Sequence, residues 1–311
     1  MFICLSHPAI ALEISSLNKS PIISPESIAV FYPNAKQPYR SIYQDIVLGC
    51  DSLIKNQKYP PIKLKSFLLE KEFDIDKIIA DLKRQKIKKV IVLGRSGYKL
   101  AKLLPKEFSV VSGALPISPN GVSGISLMSD PKFLFDYLAN VAPDVKRVHI
   151  AYSKKNEWII QLAKTAAANR GLTLNLKKVK NTKQAVQFYQ QVFDSKVSKQ
   201  DAIWLPLDRV SSHDKITLPI ILEKAWAKGM VVFSSKPSHA KRGVLFSTYP
   251  DNYSLGQHLY LMVKQLAKQP AKRRFSPLSA MKLAVNLRTA AHLGFKYTSE
   301  QQQSFKLTFP E

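Results

Sequence analysis

The feature that most constrains this chain is a regular alternation of short apolar runs with longer amphipathic segments. Lys89–Leu93 (KVIVL) has the composition of a buried strand, and apolar residues follow Asp74 at helical spacing. Asp74 itself is a favourable N-cap for that helix. Strands that alternate with helices predict parallel sheets whose two faces are both covered by helices.

The alternation runs through two successive rounds, joined near residues 121–128. Lys88–Val92 (KKVIV) is echoed by Lys146–Ile150 (KRVHI), and 311 residues fit two domains of about 100–200 residues each. We therefore predict an α/β fold of two doubly wound parallel-sheet lobes joined by a multi-strand hinge. Lobe 1 is predicted to comprise residues 25–125 and 249–270, and lobe 2 residues 126–248 and 271–311. The polar tail after Thr298 is expected to pack loosely.

The N-terminal segment Met1–Ala11 (MFICLSHPAIA) is mostly apolar and ends in the small-x-small pattern that precedes signal-peptide cleavage. Because it lacks a basic region, it is either a truncated signal peptide or an ordinary apolar N-terminus. We predict a truncated signal peptide and lead-in over residues 1–24, which implies a periplasmic protein. The two cysteines, Cys4 and Cys50, are too few for a disulfide framework.

The chain is strongly basic, with 47 Lys and Arg against 22 Asp and Glu and a formal charge of +25. Such an excess favours solubility and attracts anionic ligands or surfaces. Two interpretations are open: a solvated basic surface, or recognition of an anion. Aromatic residues do not alternate with the basic ones as in a nucleic-acid stacking platform, so we expect no nucleic-acid partner.

The sequence contains only incomplete motifs for catalysis or cofactor binding. Gly94–Gly97 (GRSG) follows a strand but lacks the third glycine of a dinucleotide-binding loop. Ser96 lies on that turn, as a hydrolase nucleophile would, but its spacing departs from G-x-S-x-G and the sequence offers no obvious base. The six histidines show no pair at metal-ligand spacing. We therefore expect no enzymatic activity, no cofactor and no metal.

Polar residues cluster where the predicted strands end. Ligands of open parallel sheets bind beyond the carboxyl ends of the strands, and two facing sheets form a cleft there. The candidate ligand-binding residues at these positions are Tyr32, Asn34, Arg95, Ser96, Ser112, Tyr152, Asn156, Asp208 and Ser235. A structural alternative is open for most of them, because serine and asparagine also cap helices and the tyrosines could edge the core. Arg95 and Asp208 are more informative, since a charge near a cleft needs a partner.

Five segments in register carry a resemblance to a known family: Asn120–Ser126 (NGVSGIS), Pro143–Tyr152 (PDVKRVHIAY), Asp201–Asp208 (DAIWLPLD), Arg242–Gly256 and Val285–Gly294 (VNLRTAAHLG). The chain resembles bacterial ABC-transporter substrate-binding proteins of the tryptophan/tyrosine type. The resemblance implies the type I periplasmic binding protein fold. It also implies a small-molecule ligand held between the lobes and delivery to an ABC permease in the inner membrane.

By matching position, the resemblance places Ser96, Tyr152, Asn156 and Asp208 where family members contact ligand. The chain departs from the family around Arg95–Gly97 and Ser112–Pro116. Arg95 favours an amino-acid-like or otherwise anionic ligand, because guanidinium binds carboxylate in a bidentate manner. We expect a monomeric, non-enzymatic solute-binding protein. The alternative is a solute sensor on the same fold that signals to a membrane partner.

Overall fold

Two sheets, each covered by helices on both faces, organise the residues that the computed structural model describes, 26–55 and 61–310. The predicted signal peptide and lead-in lie outside these residues. The first round of the chain forms β1 (Glu26–Pro33), α1 (Tyr39–Lys55), β2 (Ile62–Leu69), α2 (Ile75–Arg84), β3 (Lys89–Leu93), α3 (Gly94–Leu103), β4 (Ser109–Leu115) and β5 (Ser123–Ser129).

The second round continues the same alternation. Its elements are α4 (Pro131–Val141), β6 (Arg147–Tyr152), a 3-10 turn (Lys154–Asn156), α5 (Glu157–Ala168), β7 (Thr173–Lys178), α6 (Thr182–Asp194), β8 (Asp201–Leu205), α7 (Thr217–Lys228), β9 (Val231–Ser234), α8 (Ser238–Arg242) and β10 (Phe246–Pro250). The remaining elements are α9 (Asn252–Lys268), β11 (Phe275–Leu278), β12 (Met281–Asn286), α10 (Leu287–His292), α11 (Ser299–Ser304) and β13 (Leu307–Phe309).

The strand order shows two parallel-dominated sheets and confirms the predicted fold class. The first sheet has the order β11-β5-β4-β3-β1-β2, and every neighbouring pair is parallel. The second has the order β13-β12-β10-β9-β8-β6-β7, in which β10 and β12 are the one antiparallel pair among the described strands. Each sheet with its helices is called a lobe below.

Alternation along the central strands explains why both faces of each sheet are apolar. In β1, Ile28 and Val30 join the cluster that α1 and α9 cover, whereas Ala29 and Phe31 join the cluster on the opposite face. Successive side chains of a strand point to opposite faces, so a continuous apolar run supplies two cores at once. The run in β8 divides in the same way, with Trp204 and Ile203 in different clusters.

The chain passes between the lobes three times within the described residues, after β5, after β10 and after β11. Hydrogen bonds tie these connections together. The Asp130 amide donates to the Leu278 carbonyl over 2.9 Å, and the hydroxyl groups of Ser129 and Thr248 lie 3.0 Å apart. Three adjacent connections form a hinge that allows one lobe to rotate against the other while both stay folded.

Two C-terminal features differ from the sequence-based expectation. The strand β11 pairs with β5 in the first sheet, although residues 271–311 were all assigned to lobe 2. The other lobe boundaries remain a prediction. The expectation of a loose tail is wrong, because β13 pairs with β12 and buries Phe305 and Phe309. Burial of these two aromatic side chains supplies an attachment that the polar composition of the tail conceals.

No helix among the described residues combines the length and the apolar character required to cross a membrane.

Candidate functional site

A cleft of about 2090 Å³ lies at the carboxyl ends of β6, β7 and β8. Lobe 1 contributes Arg95 and the loop 116–120 that follows β4. Lobe 2 contributes the 3-10 turn after β6, the end of β7 and the loop 206–215 after β8. The cleft thus has walls from both lobes, at the edge where ligands of parallel sheets bind.

Two direct contacts join the lobes, and the first of them lies in the cleft. The Ser118 hydroxyl donates to the Lys155 carbonyl over 2.8 Å. The rings of Trp158 on α5 and Phe275 on β11 meet edge to face, with their centroids 5.5 Å apart. Both contacts are small, so they can form and break as the lobes move about the hinge.

Three of the predicted site residues, Arg95, Asn156 and Asp208, line this cleft together. Both carboxylate oxygens of Asp208 accept backbone hydrogen bonds, from the Ser153 amide over 2.7 Å and from the Val210 amide over 2.8 Å. The backbone amides are therefore the partners that the charge of Asp208 requires. Through them, the carboxylate joins the carboxyl ends of β6 and β8. Arg95 is exposed on the opposing lobe.

Asn156 is the most informative of the three. Its residue is only 3 % exposed, and its Nδ2 has no hydrogen-bond partner among the described residues. The side chain does not cap α5, although Asn156 occupies the N-cap position. An amide buried without a partner carries a desolvation cost of about 1–3 kcal/mol, which a ligand acceptor would remove.

The other six candidates do not line the cleft. Ser235 is buried and its hydroxyl accepts from Trp204 Nε1 over 3.0 Å, so it serves the core. Asn34 is exposed and donates to Glu70 over 3.2 Å. Ser112 is fully buried in β4, and its hydroxyl has no partner among the described residues.

The remaining three of these candidates lie at or beside the core. Tyr32 lies near Tyr43, with the ring centroids 6.2 Å apart. Tyr152 packs against the core cluster under α4 and α5. Ser96 lies in the first turn of α3, half-buried, without a capping bond. Ligand contact by these six residues stays a prediction.

A second group of cleft residues was missed from the sequence. Ser212 is 4 % exposed, lines the cleft and has a hydroxyl without a partner among the described residues. Several lysines and arginines also line it, and they are considered below. The sequence feature that could have identified these residues is their position at or after predicted strand ends. Polar residue type alone was not enough, because solvated loop residues have the same composition.

The loop 206–215 is held in place by a hydrogen-bonded network around the buried side chain of His239. His239 Nε2 lies 2.9 Å from Asp214, its Nδ1 lies 2.8 Å from the Ser234 hydroxyl, and Lys236 forms an ion pair with Asp214. Burial lowers the pKa of His239, although Asp214 opposes this shift. Burial raises the pKa of Asp214, but hydrogen bonds from His239 and Lys236 lower it more, to about 2.

The hydrogen-bonded order Ser234–His239–Asp214 resembles that of a hydrolytic triad. Its role here is structural. Ser234 has no exposed surface, and its hydroxyl also accepts from the Lys236 amide over 3.0 Å. A nucleophile must reach its substrate, and this hydroxyl lies inside the fold. The network therefore fixes the cleft loop against β9. No group of three or more metal-ligating side chains occurs among the residues that the structure covers.

Comparison with known proteins points to one family. A family model described as ABC transporter substrate binding protein matches residues 116–303, more than half of the chain. No curated protein sequence matches the chain significantly.

Solved structures share the fold. An ABC domain in complex with L-Trp from Streptococcus pneumonia is 19% identical, with a TM-score of 0.51, over 92% of this chain and 100% of the other. The ligand-free, open structure of a substrate binding protein with adhesive properties from Clostridium difficile is 15% identical, with a TM-score of 0.60, over 91% and 99%. A conserved domain protein from Vibrio cholerae is 15% identical, with a TM-score of 0.50, over 92% and 100%.

Proposed function

Because this chain belongs to the ABC transporter substrate-binding protein family, we propose that it captures a small molecule in the cleft between its lobes and delivers it to an ABC permease in the inner membrane. Membership of this non-enzymatic family establishes a solute-binding role. The proposal adds the cleft as the binding site, an amino-acid-like or anionic ligand, the permease as partner and the periplasm as the compartment. It also treats the protein as a monomer.

One observation carries the choice of site. The unpartnered amide of Asn156 is buried in a cleft that both lobes line, with Arg95 on the opposing wall. Buried polar groups are nearly always hydrogen-bonded, so a buried donor at this position supports the cleft as the place where a ligand acceptor binds. A ligand that contacts both walls binds the closed arrangement better than the open one and thereby shifts the population toward closure. The permease then recognises the closed shape.

The proposed roles of Arg95 and Asp208 are testable by mutation. Arg95→Ala is expected to weaken ligand binding by at least about ten-fold, because loss of one charged hydrogen bond costs about 1.5–3 kcal/mol. Asp208→Ala is expected to weaken binding as well, because the Ser153 and Val210 amides that shape the cleft lose their acceptor. The ligand is first found by thermal-shift screening against amino acids, peptides and small anions, and affinity is then measured by titration calorimetry. Circular dichroism verifies that each variant is folded.

The matched control is Arg84→Ala, which removes an exposed arginine paired with Asp81 on α2, outside the cleft. Its affinity should equal that of the unmodified protein. Unchanged affinity in both Arg95→Ala and Asp208→Ala would reject these two assignments.

A further inference from the structure

The cleft is far richer in positive charge than the chain as a whole. Its lining includes nine Lys and Arg side chains and two carboxylates, whereas the full chain has 47 against 22. The nine are Arg95, Lys154, Lys155, Lys177, Lys178, Lys180, Arg209, Lys215 and Lys236. If the whole surface were simply basic, the ratio of cations to carboxylates would be about the same in the cleft as in the full chain. The higher ratio in the cleft therefore needs its own explanation.

Eight of these nine cations lie at or after the carboxyl ends of four adjacent strands, in the sheet order β9-β8-β6-β7. At about 4.8 Å between neighbouring strands, the basic wall spans roughly 15 Å. Arg95 faces it from lobe 1. A single carboxylate, as on an amino acid, can neutralise only a small part of such a wall.

The acidic groups in the neighbourhood are already engaged. Asp214 pairs with Lys236, and Glu157 on α5 pairs with Lys178 over 2.9 Å. Asp208 accepts two backbone amides. The other seven cations form no ion pair with any carboxylate in the described part of the chain. Unpaired like charges focused in a cleft repel one another and raise the local concentration of anions.

Two buried side chains provide an independent indication. Asn156 and Ser212 line the same cleft, are at least nine-tenths buried, and each has a polar atom with no partner among the residues described. An amide nitrogen can only donate, and a hydroxyl can donate as well. Both are therefore suited to an acceptor-rich ligand. Donors buried behind a rim of cations form the arrangement that recognises phosphate and carboxylate oxygens.

Building on the proposed capture function, we infer that the ligand is a small organic or inorganic polyanion that carries at least two negative charges, such as a phosphate ester or a polycarboxylate. Lys154 and Lys155 on the 3-10 turn after β6, with Arg95 opposite, hold its charged groups. Asn156 and Ser212 bind its oxygens inside the rim. Engagement of Lys155 also acts directly at the lobe contact, because its carbonyl accepts from Ser118.

The test uses titration calorimetry of the full chain with pyrophosphate, citrate and glucose 6-phosphate as probes. Glucose and L-tryptophan serve as the neutral and zwitterionic references. At least one polyanion is expected to bind saturably and one to one. The double variant Lys154→Gln/Lys155→Gln should weaken that binding by at least about ten-fold, and added salt should weaken it further.

The matched control is Lys196→Gln/Lys199→Gln, which removes the same charge from the loop before β8, at the opposite end of the same sheet. It should leave the affinity unchanged. Three outcomes overturn the inference: no polyanion probe binds saturably, the control pair weakens binding as much as the cleft pair, or only L-tryptophan or glucose binds.

Small-angle scattering separates the inference from the capture function. Compaction of the protein by L-tryptophan or glucose alone would leave the capture function standing while the polyanion inference fails. A polyanion that binds through Lys154 and Lys155 without any compaction would support the anion site and count against capture by lobe closure.

Discussion

Replacing Gly256 by alanine is expected to reduce the free energy of unfolding by about 3 kcal/mol, the cost of severe overpacking. A Cβ built at this position would lie 1.9 Å from the Ile46 carbonyl oxygen and 3.0 Å from the Cys50 amide nitrogen. In an unpacked helix the same change would stabilise by about 1 kcal/mol, because alanine is the better helix former. Packing therefore reverses the sign that helix propensity alone would give.

The clash cannot be relieved by a rotamer change, since the atoms that the new methyl group meets belong to the backbone of α1. The reverse contact is equally close, with a Cβ at Gly49 placed 1.9 Å from the Tyr253 carbonyl oxygen. Helices α1 and α9 must separate to admit either group. That separation would open the cluster that holds Ile46 and Leu255, both fully buried, beneath the first sheet.

Urea unfolding monitored by circular dichroism measures this effect. His258→Ala, an exposed position on the same helix, is the control and should lie within about 0.5 kcal/mol of the unmodified protein. A Gly256→Ala variant as stable as the control would show that the two helices do not approach as closely as the structure has them.

A second measurement reports the same contact without unfolding the protein. The Cys50 thiol donates to the Gly256 carbonyl over 3.1 Å, and burial raises its pKa to about 12. It should therefore react slowly with a thiol reagent, because only the thiolate attacks. Gly256→Ala is expected to speed the reaction in a Cys4→Ser background, whereas His258→Ala should not.

The regular part of the fold was predictable because local pattern and burial agree there. The runs in β3 and β8 are continuously apolar, so strand type and even their bounds, Lys89–Leu93 and Asp201–Leu205, follow from the sequence. The short strands β11 and β13 were not predictable. Each is stabilised by a neighbour distant in sequence, β5 and β12, and neither has an apolar run of its own.

The candidate site divides in a similar way. Arg95, Asn156 and Asp208 follow from the topological rule, because the carboxyl ends of parallel strands meet at one edge. Ser235 fulfils the same rule but turns toward the core, where Trp204 Nε1 needs an acceptor. Orientation of this kind depends on tertiary packing, which a single sequence does not display. The basic wall is likewise visible only after four strand ends are placed side by side.

The second large effect on stability is expected at Asp201, which lies at the end of the second sheet opposite to the cleft. Asp201 is fully buried at the start of β8, directly opposite Arg147 in the strand register. Its oxygens accept from the Arg147 guanidinium, from His149 Nε2 over 2.9 Å, and from the Ser198 amide and hydroxyl. The Asp201 carboxylate thus joins the amino-terminal ends of β6 and β8 and the loop before β8.

Asp201→Asn is expected to reduce the free energy of unfolding by about 3 kcal/mol, because removal of one partner from a buried charge network leaves the others unpaired. Asparagine replaces one acceptor oxygen with a donor and removes the charge that Arg147 and His149 face. The control is Asp194→Asn, an exposed carboxyl group at the end of α6, which should change stability by less than about 0.5 kcal/mol. Urea unfolding at pH 7 compares the two variants.

The pH dependence of the Asp201→Asn effect gives the sharper test. Burial raises the pKa of Asp201, but hydrogen bonds from Arg147, His149 and Ser198 lower it more, so its folded pKa lies well below the ordinary value. A depressed pKa contributes stability that is complete above the unfolded pKa of about 4 and is lost as the pH falls toward the folded value. The difference in stability between the unmodified protein and Asp201→Asn should therefore shrink by up to about 1.4 kcal/mol per unit as the pH falls below about pH 4. A difference that stays constant to about pH 3 would show that Asp201 does not hold these partners as a carboxylate.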